Sequence, residues 1–293
     1  MCGIFGVVYY GNSNHLVYFE TLQLRDTLKS LLKLSEERGT DASGLCVVTN
    51  TMAHIFKDKE RGSKLKESPS LKEVLLEINT NQKFRCAFGH TRAQTKGTYL
   101  KNENNHPIIA NNTIGVHNGM IFNDDALFTA YDDDIEREGR VDSEIIFRLI
   151  DMCISDGKSI VSAVKKSSVQ LNGSYACAFT NLRCPHYITL FKGSDYPSIH
   201  IHRIDSFDLL IFASTASIID RAVKENNFYN VNVEKSELSS NQGVRINTTN
   251  GKMYCFDLEK GPQNFYASDG EVPCMECEGA DCIKCKQFTA GGY

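Results

Sequence analysis

The chain has 293 residues, 41% of them hydrophobic, which is enough for one large core and a small appendage. Its formal net charge of -4 at pH 7 gives no sign of direct nucleic-acid binding. No apolar stretch is long enough for a membrane span, and the first residues lack the charged segment and long apolar core of a signal peptide. We therefore expect a cytoplasmic protein without a membrane partner.

The first predicted element is a buried strand at the start of the chain, MCGIFGVV. An N-terminus is normally poorly ordered, so an apolar strand there implies that the fold holds it in place. Leucines at helical spacing predict a helix over 15–38, ending at Arg38-Gly39. The next predicted elements are paired strands over 43–50 and 51–58, a helix over 71–78 and a strand over 84–92.

The second half of the chain is rich in predicted strands. A strand over 112–121 precedes two helices, and strands with a final hairpin turn at Asn250-Gly251 follow. The helices are predicted over 141–154 and 158–171, and the later strands over 174–180, 187–193, 199–204, 208–215 and 245–258. This order favours an α+β fold of two antiparallel sheets covered by helices over a parallel doubly wound sheet. Residues 259–272 are predicted to be a linker, and 273–293 a small cysteine-rich tail.

Cys2 has a special chemical position. Removal of Met1 leaves Cys2 with both a thiol and a free α-amine, and such amines titrate near ~7.7 to 8.0 in model peptides. The amine could then serve as the base that a thiol nucleophile requires. The alternative from this residue alone is a small hydrophobic side chain near the start of the chain.

Four further stretches combine residues suited to one reaction: RGTDASG (38–44), GHTRAQT (89–95), VHNGMIFN (116–123) and VDSEIIF (141–147). Arg92 follows a strand and could grip a carboxylate. Asn118 and Gly119 offer adjacent donors for an oxyanion. Asp142, at a helix start, could bind an ammonium group. Taken singly, each also has a structural explanation as a turn, a helix cap, an ion pair or a core histidine.

Together these motifs resemble one family. MCGIFG, RGTDASG, GHTRAQT, NNHPI, VHNGMI, VDSEII and LNGSYACAFT stand in the order and approximate spacing of the class II glutamine amidotransferase domain, an N-terminal-nucleophile hydrolase. The branch most similar is the glutaminase domain of glucosamine-6-phosphate synthase. The resemblance covers residues 2–258 and implies a four-layer αββα sandwich of two antiparallel sheets.

The resemblance also implies residue roles. Cys2 matches the nucleophile, with its α-amine as base, and Asn118 with Gly119 matches the oxyanion hole. Arg92 matches the residue that binds the α-carboxylate of glutamine, and Asp142 the one that binds its α-ammonium.

Three further residues match supporting positions of the family, and two depart from it. Thr95 falls in the lining of the glutamine pocket, Arg38 matches an arginine that positions the nucleophile, and His106 a histidine next to the pocket. Ala93 and Lys96 stand where the sugar synthases have a tryptophan and a histidine. The sugar-phosphate acceptor therefore does not follow from the resemblance.

The implied function is a glutaminase that converts L-glutamine to glutamate and ammonia through a Cys2 thioester, without a cofactor. About 35 residues follow position 258, too few for a synthase, so we expect the ammonia acceptor on another polypeptide. Two alternatives stay open at this point: a stand-alone hydrolase of γ-glutamyl amides, and a non-catalytic module for glutamine binding or zinc-mediated interaction.

The tail contains two C-x-x-C pairs separated by four residues. Four thiolates suit tetrahedral zinc, so Cys274, Cys277, Cys282 and Cys285 are predicted to bind a structural zinc ion. The alternatives are redox-active thiols in a disordered tail and an iron–sulfur site. Our hypothesis is that the zinc-bound tail docks the synthase.

Overall fold

Two antiparallel β-sheets lie face to face in the structure, a computed structural model that describes residues 2–11, 17–81, 83–228 and 231–258. In spatial order the first sheet contains β11 (Glu234–Glu237), β9 (His200–Ile204), β10 (Leu209–Ala213), β1 (Gly3–Tyr9), β4 (Phe84–Arg92), β2 (Ala42–Thr49) and β3 (Ala53–Asp58). The second contains β13 (Met253–Asp257), β12 (Gln242–Asn247), β8 (Tyr187–Lys192), β7 (Gly173–Asn181), β6 (Thr113–Ile121) and β5 (Ile108–Ala110).

Helices cover the outer face of each sheet. The apolar faces of α1 (Tyr18–Ser35), α2 (Gly62–Leu65), α3 (Pro69–Leu76) and α7 (Ala216–Glu225) pack with the first sheet. The second sheet packs with α4 (Asp124–Ala130), α5 (Ser143–Ser155) and α6 (Ile160–Ser168). The predicted αββα arrangement of two antiparallel sheets is confirmed.

The N-terminal strand lies at the centre of the first sheet, between β10 and β4. Phe5 and Val7 point into the core beneath the helices, whereas Ile4 and Val8 point into the core between the two sheets. Because both faces of β1 are buried, its sequence is a continuous apolar run instead of an alternating one. The predicted buried strand at the start of the chain is confirmed.

The hairpin predicted at Asn250-Gly251 is also confirmed, since β12 pairs with β13 and Gly251 has a positive φ of 67°. The predicted strand over 208–215 is too long, because β10 ends at Ala213 and the Thr215 side chain caps α7. Sequence patterns also missed the short elements α2, α4, β5, α7 and β11. The predicted linker and cysteine-rich tail lie outside the described residues.

Candidate active site

Cys2 directly precedes the central strand, where β1 pairs with the end of β4. Its Sγ lies 3.4 Å from both the backbone nitrogen and the carbonyl oxygen of Ala93. Burial raises the pKa of the Cys2 thiol, while the Ala93 hydrogen bond and the positive charge of Arg92 act in the opposite direction. A thiol held in this protonated state needs a base before it can act as a nucleophile.

Arg92 is the last residue of β4, and its guanidinium is buried and firmly oriented. One Nη1 hydrogen bond goes to Asn105 Oδ1, and Nη2 donates to the carbonyls of Lys96 and Gly97, all at 2.7 Å. These three bonds leave two of the five N–H donors of an arginine for another partner. Burial lowers the pKa of Arg92, and the charges of Cys2 and Asp142 oppose that shift.

Asp142 lies immediately before α5, and its side chain is 1% exposed. Its Oδ2 accepts the backbone N–H of Ile121 at 2.7 Å, which joins the start of α5 to the end of β6. The negative charge of Asp142 acts on both the Cys2 thiol and the Arg92 guanidinium. Cys2 therefore lies within the field of one fixed cation and one fixed anion.

Asn118 and Gly119 lie near the end of β6. Asn118 is buried, and its Nδ2 has no hydrogen-bond partner in the described part of the chain. Gly119 has a φ of 138°, and a Cβ there would lie 2.0 Å from the carbonyl oxygen of Ser174 on the paired strand β7. Only glycine fits this backbone. A buried, unpartnered amide donor beside such a glycine suits the binding of an oxyanion.

A histidine connects the strand that carries Arg92 to the strand that carries Asn118. His90 Nε2, on β4, donates to the carbonyl of His117, on β6, at 2.9 Å. His117 Nδ1 in turn lies 2.7 Å from Ser143 Oγ, at the start of α5. These contacts hold the ends of the two sheets and the start of α5 together.

The three supporting residues occupy different positions. Arg38 Nε donates to the carbonyl of Cys2 at 3.4 Å, and its Nη2 donates to the Tyr196 hydroxyl at 2.6 Å. His106 is buried and stacks on His90 with 4.1 Å between ring centroids, and neither ring nitrogen has a described partner. Thr95 is exposed and makes no hydrogen bond within the described residues. The place of Thr95 in the glutamine pocket stays a prediction.

Sequence reasoning missed residues that hold the site together. Asn105, within the NNHPI motif, binds Arg92 directly and is itself fixed by the carbonyl of Tyr99. Asn105 directly precedes His106 in that motif, so the motif could have indicated a role at the site. No local spacing indicated that its partner is Arg92. Ser143 follows Asp142 and was missed for the same reason, whereas His117, beside Asn118, was predicted only as a core histidine.

The four cysteines predicted to bind zinc lie outside the described residues. Within the described ranges, no group of three or more histidine, cysteine, aspartate or glutamate side chains is arranged to hold a metal ion. None of the helices described here is long and apolar enough to cross a membrane.

The chain resembles several known proteins in sequence, although no family model matches it. It is 26% identical over 277 residues to the glutamine–fructose-6-phosphate aminotransferase of Geobacillus kaustophilus, covering 91% of this chain and 42% of that protein. The enzyme of the same name from Staphylococcus epidermidis is 33% identical over 180 residues, covering 60% of this chain and 26% of that protein. The chain thus spans less than half the length of these relatives.

A solved structure shares the fold. The glutamine phosphoribosylpyrophosphate amidotransferase from B. subtilis superposes with a TM-score of 0.64 at 18% identity, covering 89% of this chain and 50% of that one. The predicted resemblance is confirmed by the relatives, and the predicted fold by this superposition.

Proposed function

We propose that this chain, a homologue of the glutamine–fructose-6-phosphate aminotransferases with the fold of a class II glutamine amidotransferase, hydrolyses L-glutamine to glutamate and ammonia. One arrangement carries the proposal. The Cys2 thiol lies against Ala93, in the field of buried Arg92 and Asp142, while Asn118 keeps a buried amide without a described partner.

The chemistry begins at Cys2. Once Met1 is removed, the free α-amine of Cys2 takes the thiol proton, and the thiolate attacks the side-chain amide carbon of glutamine. Asn118 Nδ2 and the Gly119 N–H donate to the resulting oxyanion. The ammonium form of the α-amine returns the proton to the leaving nitrogen, so ammonia departs and a γ-glutamyl thioester remains. Water then attacks the thioester, giving glutamate and the free thiol.

Recognition of glutamine uses the two buried charges. Arg92 offers its remaining N–H donors to the α-carboxylate, and Asp142 offers Oδ1 to the α-ammonium, since its Oδ2 is already bonded to Ile121. A ligand must therefore carry both charges of an amino acid to satisfy the site. This requirement favours glutamine over simple amides.

The N-terminus provides the test. We expect intact mass measurement to show Cys2 as the first residue, and a glutamine hydrolysis assay to show activity that Cys2→Ala abolishes. A variant with an uncleavable residue before Cys2 should lose nearly as much activity, because the base becomes an amide. Full activity of that variant, or of Cys2→Ala, would refute the mechanism. Hydrolysis of a larger γ-glutamyl amide but not of glutamine would instead select the stand-alone hydrolase.

We also propose that the ammonia serves a synthase on another polypeptide. The relatives are named for fructose 6-phosphate, but Ala93 and Lys96 depart from the sugar-synthase pattern beside Cys2 and Arg92. Pull-down with the full chain, followed by an assay of glutamine-dependent amination in the recovered complex, tests this proposal. A glutaminase rate unaffected by every recovered protein would count against it.

The third part of the proposal concerns zinc. The spacing of Cys274, Cys277, Cys282 and Cys285 supports a structural zinc ion, with glutaminase chemistry itself needing no cofactor. We expect metal analysis of purified full-length protein to find about one zinc per chain, and Cys274→Ser with Cys277→Ser to remove it. Zinc-free protein, or iron with sulfide in its place, would overturn the assignment.

A further inference from the structure

The loop after β4 contains a lysine that links Arg92 to a distant helix. The backbone carbonyl of Lys96 accepts a hydrogen bond from Arg92, while its side-chain Nζ lies 2.8 and 2.7 Å from the two carboxylate oxygens of Asp124, the first residue of α4. The same Nζ lies 2.7 Å from Asp125 Oδ2. One residue thus contacts the proposed carboxylate-binding arginine through its backbone and α4 through its side chain.

We propose that Lys96 is a positioning residue that sets the affinity of the site for the α-carboxylate of glutamine by fixing the loop that orients Arg92. The inference deepens the proposed glutaminase function and depends on it. Lys96 occupies a position where this chain departs from the sugar-synthase pattern. The positioning of Arg92 through a lysine side chain is therefore inferred for this chain and not from the resemblance.

An ion-pair cluster, consisting of Lys96, Asp124, Asp125 and Arg137, holds the lysine. Arg137 lies 3.2 Å from Asp124 and 2.6 Å from Asp125, so two cations face two carboxylates. Asp124 is 1% exposed, and water therefore screens its bond to Lys96 only weakly. The hydrogen bond from Lys96, followed by that from Arg137, lowers the pKa of Asp125 to about 2, so this carboxylate stays ionised at neutral pH.

The ion-pair cluster anchors the part of the loop whose carbonyls accept hydrogen bonds from Arg92. On one side, the Gln94 backbone N–H is bonded to Asp41, and on the other the Thr98 carbonyl accepts from Asn104. Both carbonyls that accept from Arg92 Nη2 lie between these two contacts, at Lys96 and Gly97. Loss of the Lys96 side-chain bonds would free the segment between them and, with it, the orientation of the guanidinium.

A surface lysine provides a matched control. Lys29, on α1, is as exposed as Lys96 at 35%, but it makes one ion pair, with the exposed Asp26 at 3.0 Å. An exposed pair of this kind contributes little, and Lys29 lies outside the proposed site. Lys29→Met therefore removes a comparable side chain without disturbing Arg92.

The experiment measures steady-state kinetics of the full chain with L-glutamine and with its α-amide, which lacks the α-carboxylate. We expect Lys96→Met to raise KM for glutamine about ten-fold with kcat within about three-fold, and to change kcat/KM for the α-amide little. Lys29→Met should match the unaltered chain on both substrates, and Lys96→Arg should recover most of the glutamine affinity because it keeps the charge. Calorimetric titration of glutamine into Cys2→Ala, with and without Lys96→Met, should give the same ratio of dissociation constants.

Each other result has a definite meaning. A glutamine KM within two-fold of the unaltered chain, or an equal loss on both substrates, overturns the role of Lys96. Lys96→Met takes a cation away from Asp124 and for that reason could fail to fold. In that case the double variant Lys96→Met, Asp124→Asn, which also removes the negative charge of Asp124, is measured instead. A glutamine KM of that double variant within two-fold of the unaltered chain also overturns the role of Lys96. An unaltered chain without glutaminase activity refutes the proposed function, and the inference falls with it.

Discussion

Replacing Asn118 with alanine separates catalysis from stability in this protein. The Asn118 Nδ2 has no described partner, so the substitution breaks no side-chain hydrogen bond of this amide group among the described residues. Loss of one oxyanion donor typically lowers kcat by ~10²–10³-fold, equivalent to about 2.7–4 kcal/mol of transition-state stabilisation. We expect that loss for Asn118→Ala, with little change in KM for glutamine.

The free energy of unfolding should respond differently. A buried unpaired donor costs about 1–3 kcal/mol, and its removal offsets the packing lost with the amide. The free energy of unfolding of Asn118→Ala should therefore be at most about 1 kcal/mol below that of the unaltered chain, and it could exceed it. Stopped-time glutamate assays give kcat, and urea titration followed by circular dichroism gives the free energy of unfolding.

Asn181, on the neighbouring strand β7, is the matched control. It is also buried, but its side chain bonds to Thr113, Asp151 and the backbone of Arg183. Asn181→Ala should cost about 1–3 kcal/mol of stability while leaving kcat per folded molecule unchanged. The reasoning is refuted if Asn118→Ala retains more than a tenth of kcat, or if it destabilises the fold as much as Asn181→Ala does.

Three further predictions concern strain, pH and recognition. Gly119→Ala should lower the free energy of unfolding by at least ~2 kcal/mol in urea titration, because its Cβ meets Ser174. Gly157 has a positive φ of 81°, but an added Cβ there would meet no atom within 4 Å, so Gly157→Ala should lower the free energy of unfolding by only about 1 kcal/mol. Equal losses for the two variants would show that the contact with Ser174 does not destabilise Gly119→Ala. Burial lowers the pKa of His90 to about 3, so between pH 6.5 and 3 the unfolded chain binds one more proton at this residue, and His90 alone contributes a fall in stability of ~1.4 kcal/mol per pH unit as pH falls. Burial lowers the pKa of His106 too, so His106→Leu should make that slope shallower in urea titrations across pH, whereas an unchanged slope would place the titration elsewhere. Arg92→Lys should raise KM for glutamine at least ten-fold in steady-state assays, because lysine lacks the fork that grips a carboxylate, and an unchanged KM would exclude Arg92 from recognition.

The fold was largely predictable from local patterns. Each of the long elements β1, α1, β4, β6 and α5 was predicted at nearly the observed place, from helical spacing of apolar residues in α1 and α5 and from short apolar runs in the strands. The missed elements contain three to ten residues, which gives too few apolar positions to define a period. The capping of α7 by Thr215 and the positive φ of Gly251 show that single turn and cap residues decide where an element begins or ends.

The site was predictable as a set of residues but not as an arrangement. Cys2, Arg92, Asn118 and Asp142 were indicated by their motifs, and the structure brings the charges of Arg92 and Asp142 to the Cys2 thiol. The contacts that orient them join positions far apart in the chain. Lys96 and Asp124 are 28 residues apart, and Arg38 and Tyr196 are 158 apart, beyond the reach of any local spacing.

By itself, the sequence determined the long strands and helices, the burial of the N-terminal strand and the residue types available for thiol chemistry, because these depend on side chains close together in the chain. The tertiary structure alone decided which of those residues meet. It paired β1 with β4, so that Cys2 lies against Ala93, and it left the Asn118 amide buried without a described partner. Such contacts arise from the packing of two sheets and α5 against one another, and that packing is a property of the whole chain.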